Sequence, residues 1–91
     1  MAIISKKVKI ENKLGMHLRA AAAFIRIAEQ FKSNIYLEKD GKKANGKSIM
    51  NLMTLVASKG SYVILNAEGK DANEAVEALS KLIKNKFGEK E

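Results

Sequence analysis

Short stretches of alternating or β-branched apolar residues separate three longer stretches in which apolar residues recur at helical spacing. The short stretches predict strands at residues 4–10, 35–37, 42–45 and 61–67. The longer ones predict helices over residues 18–31 and 48–60 and from Asp71 onward, where Asp71 and Glu74 form a capping pair. The order strand, helix, strand, strand, helix, strand, helix is typical of an α+β fold with helices against one face of an antiparallel sheet.

The second predicted helix carries more apolar residues than one inward stripe requires. They are Ile49, Met50, Leu52, Met53, Leu55 and Val56. Either some of them are exposed or all six cover the small sheet, and periodicity alone does not decide between these alternatives. Ser48, directly before them, is a suitable N-cap, because its hydroxyl can accept a hydrogen bond from an amide of the first turn.

Length and composition limit the classes of protein to which the chain can belong. Its 91 residues suit one domain over residues 1–91, with a frayed tail at 88–91. The chain has no cysteine and one histidine, which argues against disulfides, thiol catalysis and a metal site, and nothing in it calls for a cofactor. Apolar residues 2–4 are too few for a signal peptide or a membrane span, so we expect a cytoplasmic protein that does not insert into membranes.

The charge balance is strongly basic. Seventeen Lys and Arg residues against ten Asp and Glu residues give a formal net charge of +7. Such a charge favours acidic partner surfaces and also occurs in nucleic-acid-binding proteins. The lysines are scattered, and two Tyr, three Phe and no Trp offer little stacking surface for bases. We therefore expect a solvated basic surface and no nucleic-acid partner.

The candidate chemistry lies in residues 14–21, where the single histidine, His17, stands between a glycine turn and an alanine-rich helix start. Histidine has an unperturbed pKa of about 6.5 and is largely neutral and nucleophilic near physiological pH. The unpaired N–H groups of a first helical turn can hold phosphate oxygens, and Arg19 offers planar donors for them. The segment indicates a histidine that carries a phosphoryl group, and the alternative is a surface histidine that follows a turn.

Two segments, Lys13-Leu14-Gly15-Met16-His17-Leu18-Arg19 and Asn45-Gly46-Lys47-Ser48-Ile49-Met50-Asn51-Leu52-Met53, resemble the HPr family, the histidine-containing phosphocarrier proteins of the bacterial phosphotransferase system. The resemblance extends over essentially the whole chain. It implies a two-layer open-faced β-sandwich, with a four-stranded antiparallel sheet in the order 1-4-2-3 and three helices on one face. It also implies a monomeric carrier, not an enzyme, that accepts phosphate from Enzyme I and passes it to downstream phosphotransferase-system proteins.

The resemblance assigns roles to individual residues as well. It implies that His17 is phosphorylated on Nδ1, that Arg19 is its charge partner, and that the backbone N–H groups of Leu18 and Ala20 cradle the phosphate. It implies that Ser48 is the position that some bacteria modify with an ATP-dependent serine kinase. The exposed docking patch would consist of Ile49, Met50 and Met53, while Leu52, Leu55 and Val56 would serve the core.

One position departs from the family pattern, because Ala20 stands where a proline usually follows the motif arginine. Alanine restores one N–H near the phosphate, and the expected difference in stability is only about 0.4–1 kcal/mol. We therefore expect phosphotransfer to be preserved.

Several readings of the chain stay open at this stage. The motif at residues 13–17 also looks like the nitrogen-related branch of the family, which feeds a regulatory relay instead of sugar import. The alternative function is a basic nucleic-acid-binding or regulatory module that has lost phosphotransfer. A small hydrolase with His17 as base is disfavoured, because no carboxylate is evidently placed to orient the ring.

Overall fold

The computed structural model describes residues 3–91 and contains the predicted types of element in the predicted order. These are β1 Ile3–Lys9, α1 Leu18–Ala28, β2 Asn34–Lys39, β3 Lys42–Asn45, α2 Ile49–Met53, β4 Tyr62–Glu68, α3 Ala72–Lys84 and a final 3-10 turn, Lys86–Gly88. None of the helices within residues 3–91 has the length and apolar character that crossing a bilayer requires.

The four strands form one antiparallel sheet in the order β1-β4-β2-β3, which confirms the α+β fold and the topology that the resemblance implied. Strand β4 lies inside the sheet and pairs with β1 over Ile3–Lys9 and with β2 over residues 34–38. Strands β2 and β3 are joined by Asp40 and Gly41, whose φ values of 51° and 81° suit a two-residue hairpin turn. The polar strand β3 is last in the strand order and so lies at the sheet edge.

The core lies between the sheet and the three helices. Alternate strand residues such as Val8, Leu37 and Leu65 are buried on the helical side, where they belong to one cluster with Phe24 of α1 and Leu79 of α3. The buried stripe of α1 orients this helix on the sheet. Because the first residues of α1 directly follow His17, core packing also sets the position of the histidine.

Helix α2 is much shorter than the sequence predicts, since it ends at Met53 with Thr54 as its C-cap. Val56 has a φ of 49°, a left-handed conformation that β-branched residues rarely adopt, and the helical path stops before it. As a result Leu55 and Ala57 are buried whereas Val56 is 75% exposed. The assignment of Val56 to the core is therefore wrong, as is the alternative in which all six apolar residues of this segment are buried.

Asp71 precedes α3 but does not cap it through its side chain. Its carboxylate accepts hydrogen bonds from the Lys32 N–H at 2.8 Å, the Ser33 N–H at 2.9 Å and the Ser33 hydroxyl at 2.5 Å. The predicted capping pair with Glu74 is therefore wrong, because the carboxylate is used by the connection between α1 and β2. The hydrogen bond from the Ser33 hydroxyl, followed by that from the Lys32 amide, lowers the pKa of Asp71.

We expect the Asp71→Asn variant to unfold at a lower temperature than the wild type at neutral pH and to lose this difference in acid. A carboxyl group whose pKa is lowered by folding stabilises the folded state above its ordinary value, here 3.8, and this contribution is lost as the pH falls through the lowered pKa. Melting temperatures of the two proteins, measured from neutral pH down to pH values below 3.8, test this expectation. The Asp40→Asn variant is the control, because the Asp40 side chain is 85% exposed. A difference in melting temperature that persists unchanged in acid would contradict the assignment.

Candidate functional site

His17 is the residue directly before helix α1, and its side chain caps that helix. Its backbone is extended, with φ of −82° and ψ of 179°, and its Nδ1 accepts a hydrogen bond from the Arg19 N–H at 3.2 Å. The first bond of the helix runs from the Ala21 N–H to the His17 carbonyl at 2.9 Å. The imidazole thus takes the N-cap place that a small polar side chain usually fills, with Nδ1 turned toward the first helical turn.

A glycine turn fixes the backbone of His17. Gly15 has a φ of 66°, and its carbonyl accepts hydrogen bonds from the His17 N–H at 2.9 Å and from Asn12 Nδ2 at 2.8 Å. The Met16 N–H donates to the Ala57 carbonyl at 2.8 Å, which ties the turn to the segment after α2. A Cβ atom on Gly15 would lie 2.4 Å from the Ala57 carbonyl oxygen, so both the conformation and the close approach require glycine.

The first turn of α1 carries free donors beside His17. Within residues 3–91, no backbone or side-chain group accepts a hydrogen bond from the N–H of Leu18 or of Ala20. The amide that contacts Nδ1 is that of Arg19, whose side chain the family resemblance assigned as the charge partner. Ala20 is the third residue of the helix, and its side chain is buried. An anion bound at Nδ1 would therefore lie close to three consecutive backbone N–H groups, those of Leu18, Arg19 and Ala20.

The Arg19 side chain is exposed at the same end of α1. In the part of the chain that the structure describes, no carboxylate lies within ion-pair distance of its guanidinium group. Arg19 lines a surface cavity together with Lys13, Leu14 and Glu89. Its planar donors are thus available to an anion at the helix start.

The C-terminal tail lies against His17, which the sequence does not predict. Glu89 Oε2 contacts His17 Nε2, and Glu89 Oε1 accepts a hydrogen bond from the Asn12 side chain at 2.9 Å. The Lys13 N–H donates to the Glu91 carbonyl at 2.5 Å. The side chains of His17 and Glu89 are only 22% and 18% exposed. The tail is therefore held at the site instead of being frayed, and the expectation that no carboxylate orients the ring is wrong.

The surroundings of Glu89 favour its charged form. Burial raises the pKa of the Glu89 carboxyl, but the hydrogen bonds from Asn12 and His17 and the electrostatic attraction of nearby His17 and Arg19 outweigh this effect, so the pKa lies below its ordinary value. Neither Asn12 nor Glu89 was among the predicted site residues. Glu89 is 72 positions from His17 in a polar tail, where no periodicity or motif marks it.

The predicted docking residues are exposed, and one of them, Met53, lies near the histidine turn. Met50 is 79% exposed, and Ile49 and Met53 are partly exposed. Met53 and Val56 share a surface depression with residues that precede His17, including Leu14. The surface apolar area around the histidine is therefore larger than the sequence predicts and includes the exposed side chains of Leu14, Leu18 and Val56.

Ser48 caps helix α2, which confirms the structural role predicted for it. Its Oγ accepts a hydrogen bond from the Asn51 N–H at 3.3 Å, and its backbone is extended. The side chain is half-buried at the start of the segment that exposes Met50.

Comparison with known sequences gives matches over most of the chain. Residues 4–85 match the family model PTS-HPr, described as the PTS HPr component phosphorylation site. The chain is 45% identical over 89 residues to phosphocarrier protein HPr of Neisseria meningitidis, covering 98% of this chain and 100% of that protein. It is 47% identical over 78 residues to the HPr-like protein Crh of Bacillus subtilis, covering 86% of this chain and 92% of that one.

Comparison with solved structures agrees with the sequence matches. The structure of HPr-C-His from Thermoanaerobacter tengcongensis superposes with a TM-score of 0.90 at 48% identity and covers 100% of both chains. A structure described as an HPr dimer from the same organism gives a TM-score of 0.77 at 52% identity, covering 90% of this chain and 94% of that one. Sequence, fold and the position of the histidine all lead to the conclusion that the chain belongs to the HPr family of phosphocarrier proteins of the phosphotransferase system.

Proposed function

We propose that the protein accepts a phosphoryl group from Enzyme I on His17 and passes it to a downstream phosphotransferase-system protein. The observation that carries this proposal is the placement of the imidazole at a helix start, with Nδ1 3.2 Å from the Arg19 amide nitrogen. Membership of a phosphocarrier family supports the same role. We also propose that the carrier acts as a monomer in the cytoplasm, as the family resemblance implies.

The site suits transfer more than storage of phosphate. In the loading step the Nδ1 lone pair forms a bond to phosphorus while the donor's bond to phosphorus breaks, and the electron pair of that bond stays on the donor. We propose that the amides of Leu18, Arg19 and Ala20 and the Arg19 guanidinium bind the transferred oxygens. Because the site is open at the surface, a partner protein can approach the phosphorus for the onward step.

The test is incubation of the purified protein with Enzyme I and phosphoenolpyruvate, followed by intact mass spectrometry under neutral conditions. We expect one added phosphate that acid removes. Its absence with several Enzyme I homologues contradicts the proposal. Tight, salt-sensitive binding of RNA or DNA would then indicate a nucleic-acid module, and turnover of a small substrate would indicate a hydrolase. The downstream protein that removes the phosphate decides between sugar transport and the nitrogen-related branch.

We place partner docking on the exposed residues of α2, Ile49, Met50 and Met53. All three are exposed, and Met53 shares a surface depression with Leu14 and Met16 of the histidine turn, so a partner seated on this surface would lie next to His17. Methionine is suited to a surface that meets several partners in turn, since its flexible side chain adapts to different contacts. The net charge of +7 would in addition attract acidic partner surfaces.

We expect the Met50→Gln variant to raise the KM for Enzyme I by about 10-fold, because the loss of one central apolar contact costs an interface about 1–2 kcal/mol. Glutamine keeps the size of methionine and adds no charge. Initial rates of phosphorylation at several Enzyme I concentrations measure the effect. The Ile3→Gln variant is the control, since Ile3 is exposed on strand β1 away from α2. A folded Met50→Gln variant with the wild-type KM would count against docking at this position.

We propose Ser48 as a position of regulatory phosphorylation by a serine kinase, reversed by a phosphorylase. Its Oγ caps the first turn of α2, the helix that carries the exposed docking residues. A phosphate there would add up to about two negative charges to this surface. Those charges would repel an acidic partner, so the modification would weaken docking without touching His17.

A further inference from the structure

We propose that Glu89 is a positioning residue for His17: its carboxylate holds the proton on Nε2, so that Nδ1 presents a lone pair to phosphorus. This inference rests on the proposed phosphoryl-carrier function. It gives a role in that function to the C-terminal tail, which lies outside the two motifs that carry the family resemblance.

Two independent contacts select the same tautomer of the imidazole. The Arg19 N–H donates to Nδ1, so Nδ1 must be the nitrogen that carries no proton. An ionised Glu89 carboxylate only accepts hydrogen bonds, so Nε2, which it contacts, must carry the proton. The two contacts lie at different nitrogens of the ring and together fix its orientation as well as its tautomer.

Glu89 is itself held by the chain around the histidine turn. Asn12 is fully buried, and its Nδ2 donates both to Glu89 Oε1 at 2.9 Å and to the Gly15 carbonyl at 2.8 Å. The Gly15 carbonyl also accepts the His17 N–H, so Asn12 connects the carboxylate to the backbone that carries the imidazole. This arrangement matches the general pattern in which a reactive histidine is oriented by a carboxylate at its other nitrogen.

Among residues 3–91, the other charged side chains form no ion pair with the imidazole. Arg19 is exposed beside Nδ1, and Lys13 forms an exposed ion pair with Glu91 at 3.6 Å. The Lys13 N–H also donates to the Glu91 carbonyl, which gives the tail a second contact besides that with Asn12. Glu89 is thus the one carboxylate among residues 3–91 in contact with His17.

The position of the proton affects both directions of transfer. When Nδ1 bonds to phosphorus and the donor's bond breaks, the proton stays on Nε2, and the phosphorylated ring is positively charged beside the Glu89 carboxylate. When an acceptor then attacks phosphorus, the ring leaves as neutral imidazole, because the proton is already on Nε2. Glu89 therefore speeds loading and unloading together and shortens the lifetime of phosphohistidine in water.

The experiment compares Glu89→Ala, Glu89→Gln and Glu91→Gln in the full chain. Glutamine keeps an oxygen that accepts the Nε2 proton but removes the charge, whereas alanine removes both. The Glu91→Gln variant removes a tail carboxylate that pairs with Lys13 and does not contact His17. Thermal unfolding checks that each variant is folded.

We expect 15N NMR of the imidazole to show the Nε2–H tautomer in the wild type and in Glu89→Gln, and a mixture of tautomers in Glu89→Ala. We expect kcat for phosphorylation by Enzyme I to fall about 10-fold in Glu89→Ala with little change in KM, as for loss of a charge-assisted hydrogen bond. Phosphohistidine hydrolysis should be slower in Glu89→Ala, and Glu91→Gln should behave as the wild type.

A Glu89→Ala variant with the wild-type tautomer, kcat and phosphohistidine lifetime overturns the inference. Faster hydrolysis in that variant also overturns it, because a merely loosened site would expose the phosphate to water. If even the wild type takes no phosphate, the proposed function fails, whereas the tautomer comparison still decides whether Glu89 positions the ring.

Discussion

The His17→Ala variant is expected to take no phosphate from Enzyme I and phosphoenolpyruvate. His17 is the single histidine of the chain, and its Nδ1 is the nucleophile on which the proposed function depends. The same side chain caps α1 through its hydrogen bond with the Arg19 N–H. Alanine cannot cap the helix, so the free energy of unfolding should also fall, by about 1 kcal/mol.

The His17→Asn variant separates these two effects. Asparagine is among the best N-cap residues, and its side-chain oxygen can accept the hydrogen bond that Nδ1 accepts in the wild type. We therefore expect a stability close to that of the wild type and no phosphorylation. Urea unfolding measures the first quantity and intact mass spectrometry the second. An acid-labile phosphate on either His17 variant would show that another residue accepts the phosphoryl group.

The Gly15→Ala variant is expected to lose about 3 kcal/mol of unfolding free energy, with about 1 kcal/mol from the left-handed backbone and about 2 kcal/mol from steric overlap. The φ of 66° disfavours any residue with a Cβ, and that Cβ would lie 2.4 Å from the Ala57 carbonyl oxygen and 2.8 Å from Ser58 Cα. Both neighbours are backbone atoms, so the turn itself must move. Phosphorylation should slow as well, because the Gly15 carbonyl holds the His17 N–H.

The Gly41→Ala variant is the matched control for this prediction. Gly41 has a φ of 81°, but a Cβ there would meet no heavy atom within 4 Å. The Gly41→Ala variant should therefore lose only about 1 kcal/mol of unfolding free energy, from the left-handed backbone conformation. Its rate of phosphorylation should equal that of the wild type. Urea unfolding of the two variants measures the difference. Equal losses of unfolding free energy in Gly15→Ala and Gly41→Ala would contradict the prediction, because they would mean that the turn before His17 accepts the added methyl group without steric overlap.

Local patterns predicted the elements whose residues repeat regularly. The alternation around Val8 and the β-branched run at residues 61–67 specify strands through contacts between near neighbours. The Asp40-Gly41 pair specifies a hairpin turn, because both positions need a positive φ. The strand order 1-4-2-3 came from the family resemblance, since period-two patterns do not reveal which strands pair.

Predictions failed where a distant segment bound a side chain and where a helix ended earlier than its apolar repeat. Asp71 has the sequence context of a helix cap, yet its carboxylate binds the chain at Lys32 and Ser33 because that turn offers three donors. Val56 continues an apolar repeat, yet its φ of 49° turns it outward while Leu55 and Ala57 are buried. Helical periodicity assumes a continuous helix and cannot anticipate such a break.

The sequence by itself determined the types and order of the elements, the glycine turn before His17, and a histidine followed by helix amides and Arg19, because these groups lie within a few residues of one another. Only the tertiary structure decided that Asn12 and Glu89 meet at the imidazole and that the tail covers Nε2. The physical reason is that a contact across 72 positions depends on the packing of every element between them, and no local propensity records it.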